Sequence, residues 1–69
     1  MIFVFKTSVK RKIQIKKLKP LIDEKLPGAN WNFDLQDREK VLRIDSEENI
    51  VLIITDLLKS HNFICEEME

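Results

Sequence analysis

Along this 69-residue chain the apolar positions switch between two repeats: two residues, as in a half-buried strand, and three to four, as in an amphipathic helix. Met1 to Ser8 is rich in β-branched and aromatic residues and reads as a strand. Phe3, Phe5 and Thr7 share one of its faces and Ile2, Val4 and Lys6 the other, so either could be the core side. From about Arg11 to Leu26, Ile15, Leu18, Ile22 and Leu26, with Leu21 beside Ile22, make an apolar stripe on a charged helix. Pro20 lies inside it, lacks a donor and crowds the carbonyl of Lys16, which predicts a kink or a helix in two pieces. Pro27-Gly28 ends the helix, Gly28 being suited to a left-handed backbone.

The second half repeats the plan. Trp31, Phe33 and Leu35 alternate with Asn30, Asn32 and Asp34, as a half-buried strand does. Gln36-Asp37-Arg38-Glu39-Lys40 is a short polar connection, and Val41 to Asp45 returns with Leu42 and Ile44 on the core side. Asp45 and Ser46 are both candidate N-caps, Asp45 with Glu48 three residues on. The helix they open is expected to reach about Ser60, burying Ile50 or Val51, Ile53, Ile54, Leu57 and Leu58. His61-Asn62 breaks it, Phe63-Ile64-Cys65 is a last short strand, and the glutamate-rich end is expected to fray.

Strand, helix, strand, strand, helix, strand is two βαβ units. Interleaved under the right-handed crossover rule, they give an α+β, ferredoxin-like split βαββαβ sandwich: an antiparallel four-stranded sheet with two helices on one face. A single domain over residues 1–69 is expected, since a chain this short buries only about 60% of its unfolded surface. One cysteine allows neither an internal disulfide nor a thiolate cage for zinc. The apolar run at Met1-Ile2-Phe3-Val4-Phe5 stops at Lys6, too short for a signal core or a bilayer span. A cytoplasmic protein with no membrane insertion is the expectation.

Twelve basic and twelve acidic residues cancel, but they are segregated. Residues 1–33 hold eight basic and two acidic side chains, and residues 34–69 hold four and ten. Lys10, Arg11 and Lys12, extended by Lys16, Lys17 and Lys19, form the most unusual stretch. It reads as a solvated helix face, as a docking surface for an acidic protein or other anion, or as a nucleic-acid surface. Against nucleic acid stand the zero net charge and the third strand, Val41-Leu42-Arg43-Ile44-Asp45, which lacks the glycine and aromatic pattern of RNA-recognition sheets. Trp31 reads either as packing against the first helix or as the anchor of an edge-strand or open-face interface, a homodimer included.

The chain resembles the small heavy-metal-associated domains of copper chaperones and metal-transporting ATPases. The likeness rests on the order and spacing of Phe5-Lys6-Thr7-Ser8-Val9, of Ile15, Leu18 and Ile22, and of Leu26-Pro27-Gly28. It continues through Trp31-Asn32-Phe33-Asp34-Leu35, Leu42-Arg43-Ile44-Asp45 and His61-Asn62-Phe63. The resemblance implies a Cys-x-x-Cys pair where the first loop enters the first helix, able to clamp a soft cation such as Cu(I). In this sequence those positions carry Arg11 and Gln14, and Val9 stands where the family usually has methionine. Arginine stays protonated and glutamine is a weak neutral ligand. Lys10, Arg11 and Lys12 also repel a cation, each like charge ~5 Å away costing on the order of 3 kcal/mol at an effective dielectric of ~20. No metal site and no cofactor are therefore expected. Cys65 and His61 are the weak alternative ligands, Met68 is expected in a loose tail, and two ligands make a poor site without a second subunit.

A histidine or cysteine dyad and a glycine-rich phosphate loop are both missing, and Glu47-Glu48 and Glu66-Glu67 read as capping and solubility features, so no enzyme is expected. The expected function is a non-catalytic interaction module of heavy-metal-associated type, binding a protein partner, an acidic one in particular, through the basic loop and first helix or the open sheet face. The alternatives are a copper or zinc accessory protein with an altered or intersubunit site, and a nucleic-acid-binding module.

Overall fold

A computed structural model of the protein describes residues 1–36 and 38–68. Asp37, in the expected strand connection, and Glu69, in the expected tail, lie outside the described residues. The elements are β1 (Ile2–Thr7), α1 (Lys12–Lys25), β2 (Asn30–Asp34), β3 (Val41–Asp45), α2 (Val51–Ser60) and β4 (Cys65–Glu67). The strands form one antiparallel sheet in the order β2-β3-β1-β4, the ferredoxin-like arrangement.

Cross-strand register settles which side of β1 is the core. Phe3 lies opposite Ile44 and Phe5 opposite Leu42, while Trp31 and Phe33 of β2 face the same two residues of β3. Directly opposed residues share a face, so these six side chains form one surface. Leu18 and Ile22 of α1, Leu26 just past its end, and Ile54 and Leu58 of α2 close over it, with Phe5, Ile22, Leu42, Ile44, Ile54 and Leu58 fully buried. Each such side chain contributes roughly 1.5–3 kcal/mol by leaving water. The other face carries Ile2, Val4 and Lys6, alternating across the sheet with Arg43, Asp45 and Glu66.

Several expectations change. Of the kink and the two pieces expected at Pro20, the second is excluded, since α1 runs unbroken from Lys12 to Lys25. Ile15 and Leu18 before Pro20, and Ile22 after it with Leu26 just past the helix end, pack in the core and hold the helix together despite the missing donor. α2 starts at Val51, not behind Asp45 or Ser46. Asp45 still pairs with Ile2 in β3, Ser46 exchanges main-chain hydrogen bonds with Met1, and the Ser46 hydroxyl accepts from Glu48 N–H. Asn49, whose Oδ1 accepts from Val51 N–H, meets the helix instead. Ile53 is 42% exposed, because the buried side of α2 is set by Ile50, Ile54 and Leu58 at four-residue steps.

The last strand is Cys65–Glu67 rather than Phe63-Ile64-Cys65, so the chain end does not fray at Glu66. Glu66 lies opposite Lys6, Glu67 opposite Phe5, and Met68 N–H donates to Val4 C=O at 2.8 Å. β1 needs a partner on that side for its own backbone groups, and the acidic end supplies one. The left-handed conformation expected at Gly28 is present (φ 83°). No helix among the described residues is long and apolar enough to cross a membrane.

Candidate functional site

The basic segment leaves the sheet from a tightly held platform. Thr7, buried at the end of β1, donates through its hydroxyl to Lys40 C=O at 2.6 Å and accepts from Val9 N–H at 3.3 Å. Ser8 N–H donates to Ile64 C=O at 3.1 Å, and its hydroxyl accepts from Ile64 N–H at 2.8 Å. Val9 is fully buried. These three residues fasten the β1–α1 loop to the β2–β3 connection on one side and to the approach of β4 on the other, so Lys10 projects from a fixed base.

Gln14 then turns the loop into the helix. Its Oε1 accepts from Lys10 N–H at 2.9 Å and Arg11 N–H at 3.0 Å. Arginine has no acceptor to give in return, so the helix start is capped from one side only, by the residue in its third position. The sequence signal for this role was available, since glutamine three residues after a helix entry is half of a capping box. The roles of Thr7 and Ser8 had only the weaker signal of two hydroxyl residues at a strand end.

Lys10, Arg11, Lys12, Lys16, Lys17 and Lys19 are all exposed. Of the six, only Lys19 has a carboxylate partner among the described residues, Asp23 Oδ2 at 3.1 Å. Asp23 also accepts from Trp31 Nε1 at 2.9 Å, and Lys19 Nζ lies 5.8 Å from the centre of the Trp31 ring. The Trp31 and Lys19 hydrogen bonds, in that order, hold the Asp23 carboxyl below its usual pKa. Trp31 is thus half-buried against α1, edge-to-face with Phe33 at 5.8 Å.

Charge is also divided between the two ends of the molecule. The sheet directions set Lys10, Arg11, Lys12, Arg38, Lys40 and Lys59 at the end where α1 begins, with Glu39 among them. Asp45, Glu47 and Glu48 lie at the opposite end, where a cleft of about 590 Å³ opens between Pro27-Gly28 and the start of α2. That cleft is lined by the polar side chains of Lys25, Asn30, Asp45, Ser46, Glu47 and Glu48 beside apolar Leu26, Ile50 and Ile53.

The donors needed for a soft metal do not fit. Gln14 Oε1 is already shared by two amides, and Arg11 is a cation. Cys65 is a buried free thiol on the core side of β4, opposite Thr7. Burial, with a smaller effect of the neighbouring Glu66 charge, pushes its pKa up to about 12, so it stays protonated at neutral pH. His61 is exposed just past α2. No group of three or more His, Cys, Asp or Glu side chains among the described residues could hold a metal ion. Comparison with family models, curated proteins and solved structures gave no match to this chain.

Proposed function

We propose that this protein is a non-catalytic interaction module, of heavy-metal-associated type with the metal site lost, that docks an acidic protein surface through its basic loop and α1. It works in the cytoplasm, where a lone buried free thiol is at home. One observation carries the reading: Lys10, Arg11, Lys12, Lys16 and Lys17 are exposed on a fastened loop and helix, with no carboxylate partner among the described residues. Exposed pairs contribute about 0.2–1 kcal/mol each, so five suit a weak, fast and salt-sensitive contact. The open sheet face supports docking less well, because Ile2 is its one strongly exposed apolar residue and charges of both signs surround it. The occupied Gln14 carbonyl and the protonated Cys65 thiol weigh against copper or zinc handling.

The test is a titration of labelled protein with a short polyglutamate peptide, followed by amide chemical shifts. Shifts should cluster between Lys10 and Lys19, fade by 0.3 M salt, and vanish in the Lys10→Glu, Arg11→Glu, Lys12→Glu triple variant. Shifts centred on Val4 and Arg43 would move the site to the open face, and stronger binding of a single-stranded oligonucleotide would favour nucleic acid. The absence of any response would remove the docking proposal.

A further inference from the structure

The sheet has two free edges, β2 and β4, and they are protected unequally. β4 has three residues, two of them glutamates, so it is both short and self-repelling. β2 runs Asn-Trp-Asn-Phe-Asp, with no lysine, no proline and no bulge in its pairing with β3.

The direction of its free backbone groups follows from the ladder. Met1 and Ser46 exchange hydrogen bonds at 3.0 and 2.9 Å, and Thr7 N–H donates to Lys40 C=O at 3.2 Å. Bonded pairs alternate along antiparallel strands, so Leu42 and Ile44 turn their backbone groups to β1. Val41, Arg43 and Asp45 turn theirs to β2, where they meet Asp34, Asn32 and Asn30. Trp31 and Phe33 are left with N–H and C=O pointing out from the sheet, and no other group among the described residues bonds to them.

We infer that a second copy of this chain pairs at this edge, β2 against β2 and antiparallel, about a two-fold axis through Asn32. The five residues are self-complementary in that register. Trp31 of each copy faces the partner's Phe33, and the outward groups of these residues make four main-chain hydrogen bonds. Asn32 meets the partner's Asn32, and Asn30, an amide donor, meets the partner's Asp34 carboxylate, avoiding a like-charge pair. Charges on α1 agree. A strand rises ~3.3 Å and a helix ~1.5 Å per residue, so Asn32, two residues into β2, stands about level with Leu21, four residues before the end of α1. Lys19 and Asp23 lie two residues to either side of that level, and Asp23 marks the β2 side of the helix through its bond to Trp31. The two-fold therefore brings each Lys19 level with the partner's Asp23, and the contact is isologous and closed.

Asn32 is exposed, so substitutions there leave the core alone. Sedimentation equilibrium of the unaltered protein from micromolar to millimolar should rise to twice the chain mass. Asn32→Lys and Asn32→Asp should each weaken association at least tenfold, by placing like charges opposite one another, with circular dichroism unchanged. Their equimolar mixture should regain dimer. Exchange of the Trp31 and Phe33 amides should slow at high concentration. A monomer at every concentration, a dimer indifferent to both substitutions, or a mixture that stays monomeric would each overturn the pairing. The triple charge reversal in the basic loop should leave the dimer intact, so this contact and the acidic docking surface fail or stand separately.

Discussion

Gln14 occupies the position where the resemblance implies a metal-binding cysteine, and here it is a helix cap. Removing its carbonyl frees two amides at the entry to α1. Gln14→Ala should cost about 0.5–2 kcal/mol, a fall of several degrees in melting temperature for a chain of this size. Gln14→Glu, which keeps the acceptor and adds negative charge at a helix start, should melt no lower than the parent. Equal loss in both variants would show that the cap contributes nothing. Cys65 makes a second prediction at this scale. Its folded pKa of about 12 lies above the ordinary thiol value of 9.0, so above that value the unfolded chain loses a proton the folded one keeps. Stability is full below pH 9.0 and declines as pH rises toward 12, by up to ~1.4 kcal/mol per unit. Urea denaturation from pH 8 to 11 should show that decline, and Cys65→Ala should flatten it from a lower starting stability. The same slope in both proteins would assign it to other groups.

The helices and strands show what periodicity reveals and what it leaves hidden. Six elements were legible because each buries one face, and a two- or three-to-four-residue repeat records that face whatever the partner is. Boundaries set by distant partners were not. Asp45 resembles a helix cap locally, but it is held in β3 by Ile2, and Glu66 and Glu67 resemble a loose end until β1 is seen to need a neighbour. The basic segment was equally plain as composition, while its fastening through Thr7–Lys40 and Ser8–Ile64 joins residues 33 and 56 positions apart. α1 carries its own test. Pro20 is exposed and leaves the Lys16 carbonyl without its usual donor. Pro20→Ala should restore that hydrogen bond and stabilise the protein by about 1–2 kcal/mol, the helix preference of ~3 kcal/mol being offset in part by a more flexible unfolded chain. A lower urea midpoint would mean that a bend at Pro20 is needed to seat Leu18 and Ile22 on the sheet.

At the scale of the whole molecule, zero net charge conceals a dipole. The basic end gathers Lys10, Arg11 and Lys12 at the start of α1 with Lys59 at the end of α2, and the acidic end gathers Asp45, Glu47 and Glu48. The longest extent of the protein is 27 Å. At 0.01 M ionic strength charges are felt over roughly 30 Å, and at 0.1 M over roughly 10 Å. In dilute salt each copy therefore presents its whole dipole to the next, whereas near physiological salt only the nearest charges count. Near its isoelectric point of about 6.6 no net repulsion keeps copies apart. Solubility at that pH should be lowest in 0.01 M salt and rise by 0.3 M, because attraction between basic and acidic ends is screened. The Lys10→Glu, Arg11→Glu, Lys12→Glu variant should lose this dependence at the same pH, having exchanged its positive end for a negative one and its neutrality for repulsion. The dimer made by β2 should behave oppositely, since main-chain hydrogen bonds and aromatic contact respond little to salt. Light scattering across the salt series separates the two: large species that dissolve as salt rises belong to the dipole, and a dimer that persists belongs to the edge. If the triple reversal left the low-salt aggregates unchanged, the charge segregation would have no bearing on how these molecules meet, and the basic end would lose its standing as a docking surface.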